Sequence, residues 1–190
     1  NIRDFQTSVS DVNSFQLPYK SPNRSPKLPA TLTNLGRISF NGWVTGFIND
    51  MVAFGNLNTA IGKLSSDIRL LTDPATGLPG YKGDIVTSGF NVGKFLGAEQ
   101  LLGLFSLNAV VEGRGLTRQT ADLNINGNIV SAEVLGYNFE NVSLKGDITN
   151  QKFNGELLIS DPNISLDFNG MVNFESQEPI FDFYATVENA

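Results

Sequence analysis

Apolar residues alternate with polar ones through most of this chain, and that alternation constrains the fold more than any other feature. They fall at Ile38, Phe40 and Val44; at Phe105, Leu107, Ala109 and Val111; and at Leu123, Ile125 and Ile129. The pattern continues at Val142, Leu144 and Ile148; at Phe153, Leu157 and Ile159; at Ile164, Leu166, Phe168, Val172 and Phe174; and at Phe181, Phe183, Ala185 and Val187. The residues between them are largely Asn, Ser, Asp, Glu, Thr and Lys. A period of two places one set on each face of an extended strand, so each strand has one apolar and one wet face. Turn signals separate the strands: Asp73 to Gly77, Asn150 to Lys152, Asp161 to Asn163 and Ser176 to Pro179. Connections this short predict an antiparallel meander of hairpins. The expected class is mainly all-β, with roughly ten strands at about 4.8 Å spacing, or about 50 Å of sheet.

Glycine recurs in the apolar phase near mid-strand, at Gly42, Gly83, Gly127, Gly146, Gly155 and Gly170. Glycine weakens a strand and packs nothing, so there it marks a bend or a close approach. Glycines on a concave face let a sheet curl, and these residues are expected near the floor of a strongly bent sheet. Around Gly55 the phase slips: Val52 and Phe54 share one face, and Leu57 and Ile61 the other. A bulge is expected there. Trp43 is out of phase with Ile38, Phe40 and Val44, which assigns it to the outer face or to contact with a Pro-rich loop.

Residues 17–34 hold Pro18, Pro22, Pro26 and Pro29 among Ser and Asn, the composition of an irregular loop. Residues 91–102 are not strand-like and are expected to form one or two helical turns that cross between units and plug an edge of the curl.

Two phrases recur. Asp4 to Phe15 aligns without a gap on Asp84 to Phe95 and begins again at Asp182; Leu35 to Gly46 aligns on Leu102 to Gly113. Long-period self-similarity predicts stacked units that share one core. The expected organisation is the end of one unit at 1–16, the Pro-rich loop at 17–34, unit A at 35–101 with its short helix near 91–101, and unit B at 102–190 running into the next. Both ends then fall inside a unit, so the stretch is expected to belong to a longer array.

Composition narrows the function. The net charge is −6 over 190 residues and the basic residues form no stripe, which argues against a nucleic-acid partner. No Cys and no His means no disulfide framework, no zinc–thiolate site and no Ser-His-Asp or Cys-His chemistry. Glu112-Gly-Arg-Gly115 lacks the Lys-Ser/Thr of a phosphate loop. Glu99, Glu133, Glu140 and Asp147 fall mostly on polar phases or in loops and do not read as an acid/base pair. No apolar run approaches the ~18 residues of a membrane helix. The expectation is a protein that is not an enzyme and carries no metal or cofactor. The alternation by itself leaves open whether the apolar faces close into a dry core or line an open groove.

Leu166-Asp-Phe-Asn-Gly-Met-Val172 and Leu144-Lys-Gly-Asp-Ile148 carry a repeated apolar-x-apolar-x-Gly rhythm. In this the chain resembles the AsmA-like repeat superfamily. The phrase Asp84 to Phe95 running into Leu102 to Gly113 resembles, more narrowly, its TamB (translocation and assembly module) family. The resemblance covers nearly the whole chain, least clearly residues 17–34. It implies a sheet folded into a U-shaped apolar groove, often called a β-taco, in the periplasm of a Gram-negative envelope. It further implies an inner-membrane anchor and an Omp85-class outer-membrane partner, both engaged by segments outside this stretch. The implied role is that of bridge-like lipid transfer proteins, with phospholipid acyl chains as ligand and outer-membrane biogenesis as the process. The family has no catalytic motif to carry over. Its functional residues are the groove lining, which here is Ile38, Phe40, Val44, Phe105, Leu107, Leu123, Ile125, Leu144, Ile148, Phe153, Leu157, Ile164, Leu166, Phe168, Val172, Phe174, Phe181 and Phe183, over a floor at Gly42, Gly127, Gly146, Gly155 and Gly170. The alternative is a scaffold that offers strand edges to outer-membrane β-barrels as they assemble or to proteins in secretion.

Overall fold

The structure is a computed structural model that describes residues 2–8, 11, 30–47, 49–72, 77–117, 119–176 and 180–188. The Pro-rich stretch 17–29 and most of the turn signals at Asp73 to Gly77 and Ser176 to Pro179 lie outside the described residues.

Twelve strands form one antiparallel sheet: β1 (Ile2–Ser8), β2 (Arg37–Phe47), β3 (Asp50–Thr59), β4 (Gly62–Thr72), β5 (Pro79–Ser88), β6 (Phe90–Asn91), β7 (Leu102–Arg114), β8 (Asp122–Val134), β9 (Tyr137–Thr149), β10 (Lys152–Ser160), β11 (Ser165–Asn173) and β12 (Ile180–Glu188). Spatial order follows chain order from β1 to β12, and the two-residue β6 lies off this path against β7. The sheet is therefore a meander, as the short turns require. Leu135 and Gly136 both take positive φ between β8 and β9, and Asn150 and Gln151 do so between β9 and β10. Paired left-handed residues twist a two-residue loop in the same sense as its strands.

The expected bulge at Gly55 is absent. β3 pairs in unbroken register with β2 from Asp50 to Asn58 and with β4 from Asp50 to Thr59. Met51, Ala53, Gly55 and Leu57 share the apolar face, while Val52 and Phe54 stand on the other with Trp43. The misreading came from counting Val52 and Phe54 as inward because they are apolar. Register shifts occur elsewhere: in β1 between Ile2 and Phe5, and in the β7–β8 ladder between Leu102 and Phe105 and between Ser106 and Leu107. Val130 is the residue left over beside that last shift, and it stands 64% exposed.

Among the described residues two short helices sit where strands hand over. α1 (Ala30–Thr33) precedes β2, and α2 (Val92–Leu96) links β6 to β7. The Asn91 side chain caps α2 by accepting the Lys94 amide, and Gly97 closes it in the left-handed conformation. The helix is shorter than the 91–101 expected because Gly97 ends it. The Asn34 side chain donates to the carbonyls of Lys94 (2.9 Å) and Phe95 (3.2 Å), tying the end of α1 to α2. Beneath them Leu35, Ile61 and Phe90 form a buried cluster flanked by Leu32, Ile38, Val92 and Phe95.

The recurring phrases occupy equivalent places. The first begins on β1, on β5 and on β12, and its second copy runs on through β6 into α2. The two copies of the second lie on β2 and β7. In both complete cases the first-phrase strand pairs antiparallel with the second-phrase strand that follows it, β1 with β2 and β5 with β7.

Candidate functional site: the apolar face of the sheet

Residues opposite one another across a ladder share a face, so the registers define the apolar surface row by row. One row runs Phe40, Leu57, Leu64, Thr87, then Leu107, Ile129, Val142, Ile159, Leu166 and Val187. Another runs Val44, Ala53, Ile68, Gly83, Val111, Ile125, Gly146, Gly155, Gly170 and Phe183. A third brings Leu123, Ile148, Phe153, Val172 and Phe181 into line. Between these rows Leu157 pairs with Leu144 on one side and with Phe168 on the other. Phe105 joins the face opposite Ala132.

The sheet thus gathers the sequence-derived lining residues on one surface, with two qualifications. Ile164 and Phe174 lie just outside the two ends of β11, in turns. Ile164 nevertheless packs against the cluster of Ile129, Ala132, Val142 and Ile159. The sequence-derived lining took no side chain from β3 to β5, which contribute Leu57, Leu64, Ile68 and Ile85. The alternation of Leu64, Ser66, Ile68 and Leu70 with Lys63, Ser65, Asp67 and Arg69 carried that signal.

A line of small residues crosses this face. It runs through Gly42, Gly55, Ser66, Gly83, Ala109, Gly127, Gly146, Gly155 and Gly170, one from each strand from β2 to β11 on the main path. Successive members are direct partners or lie two residues from one, over about 40 Å at about 4.8 Å per strand. At Gly42 a Cβ would stand 2.7 Å from the Gly55 Cα, and at Gly155 2.6 Å from the Gly146 Cα. Neighbouring backbones therefore approach on the apolar side more closely than any side chain allows, and the sheet is creased toward that side. The glycines are not bare. A Cβ at Gly42 would also stand 2.9 Å from the Phe40 ring, and one at Gly146 2.6 Å from the Phe153 ring. Missing side chains leave room for rings to lie across the crease, which covers backbone with aromatic surface.

Among the described residues no large side chain is fully removed from solvent. The most buried apolar positions, Ala109, Ala132 and Val142, keep 4% exposure, and Phe168 keeps 9%. Two sheets packed into a sandwich interdigitate and leave their central residues dry. Val44 at 41% and Phe183 at 47% are far from that condition. Among the described residues the one buried polar side chain on the face is satisfied: the Thr87 hydroxyl donates to the Phe105 carbonyl and accepts from the Leu107 amide.

The opposite face is largely polar and carries three ion pairs. Arg69 makes two bonds to Asp50, at 2.7 and 2.6 Å, which hold the carboxyl below its usual range. Lys82 meets Glu112 at 2.7 Å and Arg114 meets Asp122 at 2.8 Å. Arg69, Lys82, Glu112, Arg114 and Asp122 line a shallow concavity of ≈ 740 Å³. Tyr81, half-buried beside it, has its hydroxyl pushed up by burial and by the nearby Asp122 charge. Trp43 stacks on Phe54 on this face with ring centres 6.1 Å apart. No three acidic side chains among the described residues gather as a metal site. No helix of the described residues is long and apolar enough to cross a membrane.

Fold and face together define a class: an open, curved, single-layer antiparallel sheet with one creased apolar surface. Compared with protein families, curated proteins and solved structures, the chain matches none.

Proposed function

We propose that the creased apolar face is a section of a trough that carries phospholipid acyl chains in the periplasm, as part of outer-membrane biogenesis and in the manner of the TamB family the sequence resembles. One observation carries this reading: a line of small residues crosses the sheet between rows of bulky apolar side chains that stay partly open to solvent. Each CH2 group in water costs about 0.8 kcal/mol, so a chain of about sixteen carbons gains roughly 13 kcal/mol from full cover. An even apolar track supplies that cover along its length. A deep pocket would instead hold one lipid and stop movement. The headgroup stays in water at the open side, so the trough needs no charged residue. No step of chemistry is required of the protein.

A photo-crosslinking residue at Phe40 or Leu157, with phospholipid vesicles as the lipid source, tests this. Labelling by phospholipid is expected there and not at Asn41 or Asn169, which lie on the polar face. Equal labelling of both faces, or none at Phe40 and Leu157, overturns it. The scaffold reading uses strand edges rather than lining. Leu157→Glu in a folded variant therefore blocks lipid labelling at Phe40 if the trough is the working part, and leaves an edge-dependent activity intact.

A further inference from the structure

The crease is covered unevenly along its length. An aromatic residue stands two positions before four of its glycines: Phe40 before Gly42, Tyr81 before Gly83, Phe153 before Gly155 and Phe168 before Gly170. Residues two apart in a strand share a face, so a ring at such a position can turn onto its own glycine. Phe40 and Phe153 do so. A Cβ at Gly42 would stand 2.9 Å from the Phe40 ring. The Phe153 ring lies 2.6 Å from the same position at Gly146 and 2.9 Å from it at Gly155, so one ring covers the crease on both β9 and β10. Between these two rings the floor differs. At Gly55 and Gly83 the nearest atoms to a Cβ are backbone, and at Gly127 they are backbone and the Ala109 Cβ.

Tyr81 shows why its ring stays off Gly83. Its hydroxyl donates to the Gly115 carbonyl at 3.1 Å. β5 and β7 are antiparallel, with Gly83 opposite Val111 and Tyr81 opposite Gly113, so Gly115 lies beyond Tyr81 on the side away from Gly83. The bond draws the ring along the strand toward the rim and leaves the crease uncovered.

We propose that an acyl chain rests in the uncovered stretch from Gly55 to Gly127, with the Phe40 and Phe153 rings as stops at its two ends. This rests on the trough reading and adds to it the place along the sheet where a chain stays. From β2 to β9 the main path has six strand spacings, about 29 Å at about 4.8 Å each. A chain along this stretch covers bare backbone and the half-buried Leu57, Ile68, Ile85 and Ile125 side chains, and each CH2 removed from water favours full overlap with it. At Phe153 a ring already occupies the floor, and a chain passes only by displacing it.

Photolabelling tests this, with vesicles of phosphatidylethanolamine and phosphatidylglycerol and a crosslinking residue at Ile68, in the uncovered stretch, or at Leu157, on the strand that bears Phe153. Each position is compared with itself, so differences in exposure between positions cancel. Phe153→Ala is expected to raise phospholipid labelling at Leu157 severalfold. Tyr81→Phe loses the bond to Gly115 and frees the ring to fall on Gly83, and is expected to lower labelling at Ile68 severalfold. Unchanged labelling in either folded variant overturns the proposal and leaves the trough standing, provided the unsubstituted chain labels at both positions. No labelling at either position in that chain removes the trough and this proposal with it. Should Phe153→Ala fail to fold by circular dichroism, Tyr81→Phe decides alone.

Discussion

Strands β7 to β11 bury Ala109, Val111, Ile129, Ala132, Val142, Ile159, Phe168 and Val172 on the apolar face, whereas on β2 to β5 the only comparably buried side chain of that face is Thr87. Alternation runs through both halves, broken in the first by outward Val52 and Phe54 and by inward Ser66 and Thr87, but pattern is not the whole difference. Side-chain packing differs as well. β7, β8 and β9 each run thirteen residues, and the Ile129–Val142–Ile159 cluster draws in Phe139, Leu144 and Leu157 from neighbouring strands. The first half covers its strand ends differently, with α1 and α2 lying over Leu35, Ile61 and Phe90. One half holds its shape by side chains packed along the sheet, the other by a helical cover at one rim.

Three measurements break or sharpen that contrast. The largest effect is expected from placing a charge in the packed half. Val142→Asp strands a carboxylate among Ile129, Ala132 and Ile159, at a cost of several kcal/mol, on the order of 2–7 for an unpaired buried polar group. Ile68→Asp in the open half leaves its carboxylate near water and costs well under half as much. Urea unfolding of the two variants checks this, and equal losses would mean the halves are held alike.

A middle effect is expected at the helical rim. Asn34→Ala removes both bonds to the end of α2 and costs about 1 kcal/mol. Hydrogen exchange should speed up at Gly97 and Ala98 while the β8–β9 ladder stays protected. Loss of protection across both would show the rim to be part of one cooperative unit.

The smallest effect is electrostatic. Asp161 accepts the Asn163 amide, the Tyr137 hydroxyl and the Glu140 amide, which together hold its carboxyl below the usual range. A depressed folded value contributes stability above the unfolded pKa of about 3.9, and that contribution is lost as pH falls below it through the folded value. The group is exposed, so the change is small and local. Asp161→Asn should flatten the acid limb of the β10–β11 turn's exchange profile and leave behaviour at neutral pH nearly unchanged.

Strand content, meander order and the identity of the wet and apolar faces were legible in the residues, because a period of two admits no other regular structure. The glycines were legible as a crease for the same reason: they fall in the apolar phase where a side chain belongs. Gly55 shows where that reading failed. Val52 and Phe54 are apolar yet face outward with Trp43, and only the unbroken β2–β3–β4 register reveals it. Twelve strands rather than roughly ten followed from the short β6 and from strands β3 to β5, whose polar inward residues Ser66 and Thr87 interrupt the apolar count.

By itself, then, the sequence determined that this chain forms an antiparallel sheet with one apolar side and repeats a two-strand theme. Whether that side is sealed depends on contacts between residues far apart in the chain, which no local pattern encodes. Tertiary structure decided that Phe40 and Phe153 lie across the crease, that α1 meets α2 over one rim, and that Val44 and Phe183 stay half in water. The reason is geometric: alternation chooses a face for each side chain, but only the curl and register of the whole sheet choose what that face meets.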